Sequence, residues 1–383
     1  MEFVLSLLTE EQRMIRESVI EMSKGKLGQL EEEVGETNIV NRDILNFLAD
    51  HDLLGLTVPG EYGAGPEKMS LVSFCLVREE LAKTCPNAEL IFTMQGLGAG
   101  PIVCAGNREQ KQAYLPTVAS GKNIFTIALT EPEGGSDVAS FQTQAVKEGN
   151  EYILNGSKTF ISMAPDADVY TVFAKTDPDK GAKGVTAFIV EKGFKGFVPG
   201  ERLDLVAAHP IGSIYFDGCR VPEANRLGEE GEGFKIAMQT LDFFRTTVGA
   251  CAVGFAQAAL DEAIKYAKQR EAFGQPISKF QLIQAKLADM ATKVSAARLL
   301  VFRSAYLKDS GRERVTKESS MAKLFATESA QEVIDQAVQI HGGYGVCKGY
   351  LVEKLYREIR ALRIYEGTSE IQHLVIASQL LRE

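Results

Sequence analysis

Glu366 lies between an aromatic residue and a glycine in Ile364-Tyr365-Glu366-Gly367-Thr368-Ser369-Glu370-Ile371-Gln372, directly before a final apolar helix. A lone carboxylate in such surroundings can be desolvated, which raises its pKa toward the range useful to a general base. The same residues read equally well as helix chemistry: Thr368 or Ser369 caps the last helix, and Glu366 and Glu370 complement its positive end. Composition and spacing leave the two readings level. A second segment, Thr126-Ile127-Ala128-Leu129-Thr130-Glu131-Pro132-Glu133-Gly134-Gly135-Ser136-Asp137, gathers hydroxyls and freely turning glycines at the end of an apolar run. Such a loop can aim backbone N–H groups and hydroxyls at a flat heteroaromatic or a diphosphate. As a short motif it is more often an ordinary strand-to-loop transition.

The remaining motifs are weaker. Gly96-Leu97-Gly98-Ala99-Gly100-Pro101 has its third glycine at the wrong spacing for a dinucleotide fingerprint, and no strand clearly precedes it. Gly228-Glu229-Glu230-Gly231-Glu232-Gly233-Phe234-Lys235 lacks a Lys directly after the closing glycine, and its three acids repel phosphate, so it reads as a solvated turn before a helix. His51, His209, His341 and His373 have no partner at metal-ligand spacing, so no metal site is expected and each reads as structural. Ser136 lacks a nucleophile elbow and a local base. The six cysteines have no Cys-x-x-Cys spacing and read as buried small hydrophobes in a reducing compartment.

Three textures must position these residues. Residues 1–120 read as helical: Thr9 and Gln12 form a capping-box pattern, and helix-like stretches follow at 42–50, 71–82 and 108–118. Residues 121–228 change to short β-branched and aromatic runs at 152–154, 169–173, 185–190 and 214–216, with Asn155-Gly156 as a hairpin signal and 177–183 as another turn. Residues 229–383 return to helical periodicity at 233–243, 248–270, 279–308 and 317–340. Helix, sheet and helix in succession, without βαβ alternation, predict an α+β protein with an N-terminal helical domain, a central β-barrel or sheet domain and a C-terminal helical bundle.

The 383 residues are 45% apolar and 24% charged, enough for a sizeable core. A formal charge of −9 disfavours nucleic acid as a partner. No run of about 18 uninterrupted apolar residues and no basic leader stand in the sequence, so neither membrane insertion nor export is expected, and a cytoplasmic location is.

The Thr126 and Glu366 segments, together with Arg270-Glu271-Ala272-Phe273-Gly274 and Gln339-Ile340-His341-Gly342-Gly343-Tyr344-Gly345, strongly resemble the acyl-CoA dehydrogenase flavoprotein family in order and spacing, almost end to end. The resemblance implies a C-terminal four-helix bundle, a homotetramer built as a dimer of dimers, and one FAD per subunit. It places Ile127, Leu129, Thr130, Gly135 and Ser136 along the isoalloxazine and pyrophosphate, with Phe160 and Ser162 covering the flavin's other edge. Arg270, Phe273, Gln281, Gln339, Gly342 and Gly343 would reach FAD across a dimer interface, while Thr368 and Glu370 hold its near side. Asp242 and Arg245 match residues that receive CoA, although residue types alone favour a helix-surface ion pair. Ser136, Phe244, Tyr365 and Gly367 would line the substrate.

The implied chemistry is α,β-dehydrogenation of an acyl-CoA thioester to the trans-2-enoyl-CoA. Glu366 takes the α-proton, while its backbone N–H and a ribityl hydroxyl of FAD stabilise the thioester oxygen. Some relatives carry the base at the position matching Phe244, an uncharged aromatic here, which leaves Glu366 as the sole candidate. Phe160 stands where the family usually has Trp, and the stretches 161–165 and 205–211 also depart from its pattern. These departures point to a branched or cyclic acyl group. Electrons would pass to an electron-transferring flavoprotein. The alternatives are an enoyl-CoA reductase, a dehydrogenase of carrier-protein thioesters and, remotely, a DNA-associated flavoprotein relative.

Overall fold

A computed structural model describes residues 2–63, 67–137 and 140–382. In chain order come helices α1 (Glu2–Leu7), α2 (Glu10–Lys24), α3 (Lys26–Val34), α4 (Arg42–Asp50), α5 (Leu71–Thr84), α6 (Pro86–Ala105) and α7 (Arg108–Ala119). Strands follow: β1 (Phe125–Ala128), β2 (Gln144–Glu148), β3 (Glu151–Ser162), β4 (Val169–Lys175), β5 (Val185–Glu191), β6 (Phe197–Arg202), β7 (Ile211–Pro222) and β8 (Arg226–Leu227). The long helix α8 (Gly233–Gln269), a small hairpin of β9 (Glu271–Ala272) and β10 (Gln275–Pro276), and helices α9 (Gln281–Asp309), α10 (Thr316–His341), α11 (Leu351–Leu362) and α12 (Ser369–Leu380) complete the chain. The α+β order expected from texture is therefore present.

The chain divides into two compact units. One comprises Met1–Gly28, Leu71–Pro86 and Asp242–Glu383; the other comprises Gln29–Ser70 and Asn87–Leu241. In the first, apolar faces of α5, α8, α9, α10 and α11 share a core that includes Leu71, Cys75, Val248, Val301, Ala326, Ile334 and Ile359. Two buried cations inside it are paired: Arg298 meets Glu79 at 2.9 Å, and Arg78 donates to the Thr247 hydroxyl at 2.6 Å. In the second unit an eight-stranded sheet runs β6-β7-β3-β2-β4-β5-β8, and β1 pairs in parallel with β4. Its core joins Phe125, Phe173, Val185 and Ile189 to Ala99 and Ile102 of α6.

Local sequence explains several helix starts. Thr9 and Gln12 form the expected capping box on α2, and Asn107 with Gln110 forms another on α7. The Asn155-Gly156 signal, however, does not turn the chain. It sits within β3 as a bulge against β7, where Gly156 has φ +143° and a Cβ would lie 2.6 Å from Thr143 Oγ1. The hairpin forms instead at Gly149-Asn150, between the paired residues Glu148 and Glu151. The Gly96–Pro101 run lies inside α6, and a side chain at Gly98 would meet the Thr126 backbone N at 2.5 Å. Gly98 therefore serves close helix–strand packing.

Stretches 233–243 and 248–270, read as two helices, are one helix, α8. The apparent break is polar because its side chains are paired inside the unit, with Thr246 bonded to Ser304 at 2.9 Å. Both α6 and α8 are long and apolar enough to cross a membrane, but 78% and 89% of their most apolar windows are buried within the protein, as in core helices. Four cysteines are buried, whereas Cys104 and Cys347 are exposed, contrary to the uniform burial expected.

Candidate active site

The first unit carries Glu366 on the short connection from α11 to α12. Thr368 caps α12 by accepting from the Ile371 N–H at 3.3 Å, as the helix reading expected. Two consecutive residues before the cap are left-handed, Glu366 at φ +53° and Gly367 at φ +93°. For a non-glycine residue that conformation costs roughly 1–2 kcal/mol and persists only when its surroundings fix it.

The fixing groups come from three helices. Arg245 of α8 donates from Nε to the Glu366 carbonyl at 3.2 Å, and Lys323 of α10 donates from Nζ to the Gly367 carbonyl at 2.7 Å. Gln372 of α12 donates to both carbonyls, at 3.3 and 2.9 Å. Glu328 of α10 accepts from Arg363 at 2.9 Å and from the Ser369 hydroxyl, which ties down the flanks of the same connection. Glu366 itself is half-buried, as are Tyr365 and Gly367.

Arg245 and Asp242 do form an ion pair, at 3.2 Å, with the Thr316 hydroxyl donating to Asp242 at 2.6 Å. The pair is not on a helix surface, because Arg245 is only 6% exposed and serves the Glu366 carbonyl. Phe244 is 2% exposed, edge-on to Phe74 with ring centroids 5.4 Å apart, so it belongs to a packed aromatic cluster and offers little free surface to a ligand. Arg270, Phe273, Gln281, Gln339, Gly342 and Gly343 are all exposed on this unit. Phe273, at the tip of the β9–β10 hairpin, is 95% exposed with φ +52°.

The second unit brings the Thr126 segment and the Phe160 segment together. The Thr159 N–H donates to the Thr130 carbonyl at 3.0 Å, and the Thr126 hydroxyl donates to the Ser162 carbonyl at 2.6 Å. Ile127, Leu129, Thr130 and Ser162 are half-buried; Gly135, Ser136 and Phe160 are exposed. Apolar side chains, hydroxyls and an exposed aromatic held at φ +54° make a donor set that fits a flat heteroaromatic bearing a polar tail.

Beneath it lie groups that sequence reading passed over. Lys158, wholly buried, donates to the Leu129 carbonyl at 3.1 Å and to the Glu131 carboxylate at 2.7 Å, with Phe141 beneath its ammonium at 4.0 Å. Glu131 also accepts from the backbone N–H groups of Gln142 and Thr143, at 2.5 and 3.1 Å. Burial pushes the Glu131 carboxyl up, but Lys158 and these donors outweigh it and hold it below the usual carboxylate range. The pair therefore stands ionised and clamps the strand end that carries Thr130. Lys158 shares the strand parity of Tyr152 and Leu154, the only sign in the sequence that it points inward.

Ser162 Oγ lies 2.8 Å from His209 Nε2, and the His209 N–H donates to Asn38 at 2.9 Å. Burial holds the His209 pKa down at about 4, so the ring is neutral near pH 7. His209 is thus more than an isolated structural histidine: it orients a hydroxyl of the candidate cofactor segment. Among the described residues, no group of three or more His, Cys, Asp or Glu is placed to hold a metal ion.

This combination of elements is matched by known proteins along the whole chain. Residues 9–122, 126–219 and 231–381 match, in turn, the N-terminal, middle and C-terminal domains of acyl-CoA dehydrogenases. The chain belongs to the acyl-CoA dehydrogenase family and is an oxidoreductase. It is 43% identical over 379 residues to an acyl-CoA dehydrogenase of Bacillus subtilis, covering 98% of this chain and 99% of the relative. It is 42% identical over 381 residues to the caffeyl-CoA reductase-Etf complex subunit CarC of Acetobacterium woodii, with the same coverage. Among solved structures, the butyryl-CoA dehydrogenase from Megasphaera elsdenii superposes with a TM-score of 0.93 at 38% identity, covering 98% of this chain and 99% of that one. The FAD complex of PigA also gives 0.93, at 30% identity and the same coverage.

Proposed function

We propose that this chain is an FAD-dependent acyl-CoA dehydrogenase in which Glu366 removes the α-proton of an acyl-CoA thioester to give the trans-2-enoyl-CoA. The observation that carries this reading is the posture of Glu366: a half-buried carboxylate on a left-handed residue whose carbonyl is gripped by Arg245 and Gln372. A base must meet its proton within hydrogen-bond reach, and a fixed backbone supplies that constancy. Bound FAD would supply the hydride acceptor for the β-carbon.

The residues of this chain do the rest. Ile127, Leu129, Thr130, Gly135, Ser136, Phe160 and Ser162 are the second unit's proposed cofactor residues. The Glu366 N–H donates to the thioester oxygen, where charge develops as the α-proton leaves. In the first unit Tyr365 and Gly367 are the proposed lining of the acyl thioester, and Asp242 with Arg245 the proposed approach for CoA. The exposure of Arg270, Phe273, Gln281, Gln339, Gly342 and Gly343 supports a role in completing the cofactor site of a second copy, within a homotetramer.

Purified protein loaded with FAD, mixed with a panel of straight, branched and cyclic acyl-CoAs, should lose its flavin absorbance band with at least one of them. Glu366→Gln should keep FAD and acyl-CoA binding and slow that reduction by at least about 100-fold. Reduction at the wild-type rate in the variant would remove Glu366 from its role.

The reverse direction is a second reading, favoured by the 42% identity to a subunit of a reductase–Etf complex beside 43% to a dehydrogenase. An electron-transferring flavoprotein is the proposed redox partner in either direction. A redox titration with acyl-CoA and enoyl-CoA present distinguishes the two.

A further inference from the structure

The proposed cofactor residues of the second unit come from three runs of chain, at 127–130, 135–136 and 160–162. One buried ion pair, Lys158 with Glu131, is bonded into all three. The Lys158 ammonium donates to the Leu129 carbonyl at 3.1 Å and to the Glu131 carboxylate at 2.7 Å. The backbone of Glu131 exchanges two hydrogen bonds with Gly134, both of 3.1 Å, which close the turn directly before Gly135 and Ser136. Its carboxylate is held in turn by the Gln142 and Thr143 N–H groups.

The third run is reached through the backbone next to Lys158. Strand β3 pairs with β7 at Lys158 and Ile214, and again at Ile161 and Gly212, so β3 carries one residue more than β7 across this interval, a bulge. Inside the bulge the Thr159 N–H turns to the Thr130 carbonyl at 3.0 Å, and Phe160 stands exposed at φ +54°. Consecutive residues of β3 thus take up consecutive carbonyls, Lys158 that of Leu129 and Thr159 that of Thr130.

Stability alone does not account for such a pair. Two charges taken out of water lose hydration that their attraction only roughly balances, and apolar side chains of the same volume often serve as well. What the pair adds is direction, because the ammonium has to meet the Leu129 carbonyl and the Glu131 carboxylate together, above the Phe141 ring at 4.0 Å. That requirement sets the spacing of the three runs.

We propose that Lys158 is a positioning residue for FAD: by holding the Leu129 carbonyl and the Glu131 carboxylate at once, it fixes Leu129–Thr130 and the Gly134 turn against the bulge that carries Phe160. The inference rests on the reading of these three runs as the FAD site.

The test is the double substitution Lys158→Met with Glu131→Gln in the full-length chain. Both charges go together, so neither is left stranded; the new amide can still accept from the Gln142 and Thr143 N–H groups, but the Leu129 carbonyl loses its donor. The sequence has no Trp, so binding is read from the flavin's own emission as FAD is added to flavin-free protein, and the mounting of the cofactor from its visible circular dichroism. Flavin-free K158M/E131Q should melt close to wild type. Its FAD dissociation constant should nevertheless rise about 10-fold, the effect of losing one charge-assisted hydrogen bond, and its dichroism should change shape. A purely structural pair would leave both flavin readouts alone once the melt is restored.

A folded double variant with the wild-type FAD constant and dichroism overturns the inference. Should K158M/E131Q fail to fold, K158L/E131Q fills the same space with a branched side chain and carries the same comparison. Wild-type protein is titrated in parallel. If it binds no FAD, the cofactor site itself falls; if it binds FAD and the folded double variant binds it equally, only Lys158 loses its assignment.

Discussion

Replacing His209 by Gln should flatten the acid side of the protein's stability profile. The imidazole is held neutral by burial, with a pKa of about 4 in the folded chain against 6.5 for the ordinary side chain. Between those values the unfolded chain binds the proton and the folded chain does not, so stability falls as the pH drops from 6.5 toward 4, and no further below it. At about 1.4 kcal/mol per pH unit, the wild-type protein at pH 5 should have lost about 2 kcal/mol through this one group relative to pH 7. For a unit of roughly 200 residues that corresponds to a fall in melting temperature of about 4–8 °C.

The measurement is a thermal melt of wild type and His209→Gln at both pH values, compared as a difference of differences so that the intrinsic cost of the substitution cancels. The variant should show a drop between pH 7 and pH 5 that is smaller by that amount. Equal drops in the two proteins would mean that His209 titrates normally, and the case for a neutral ring orienting Ser162 would go with it.

Lys158→Met should destabilise the second unit by about 3–5 kcal/mol, because it strands the buried Glu131 carboxylate without its cation. The double variant with Glu131→Gln should recover most of that loss in thermal melts, and failure to recover would deny the coupling. Gly98→Val sets a side chain against the Thr126 backbone, where even a Cβ would stand at 2.5 Å. It should cost about 1–3 kcal/mol and lower the flavin-to-protein absorbance ratio of the purified enzyme. A wild-type melt and ratio would refute the close-packing account.

What could be read from the sequence was local chemistry and periodicity. The Thr9–Gln12 capping box and the helix at Arg42–Asp50 needed only side chain to backbone bonding and one apolar face. α6 escaped because nearly every residue from Ala88 to Ile102 is buried, so no polar side marks its period, and its glycines and Pro101 look like loop. Asn155-Gly156 misled because a bulge and a turn ask for the same freedom of φ; only the pairing of β3 with β7 decides between them. Glu366 and the Thr130 segment could be named because whole motifs resemble a family. Lys158, Glu131, His209 and Lys323 could not, since each acquires its meaning from a partner far away in the chain. The traces they leave, a lysine on the buried parity of a strand and another in the apolar stripe of a helix, stand out only once burial is known.

The left-handed backbone at Glu366 also bears on redesign. Donors from three helices hold the carbonyls of Glu366 and Gly367, so position 366 should behave as a socket that survives exchange of its occupant. Asp and Asn enter this region of backbone space more readily than most residues, whereas a β-branched residue resists it. Shortening or neutralising the group at 366 should therefore alter reach and proton affinity while sparing the scaffold, and a library confined to that single site would sample chemistry nearly independently of folding.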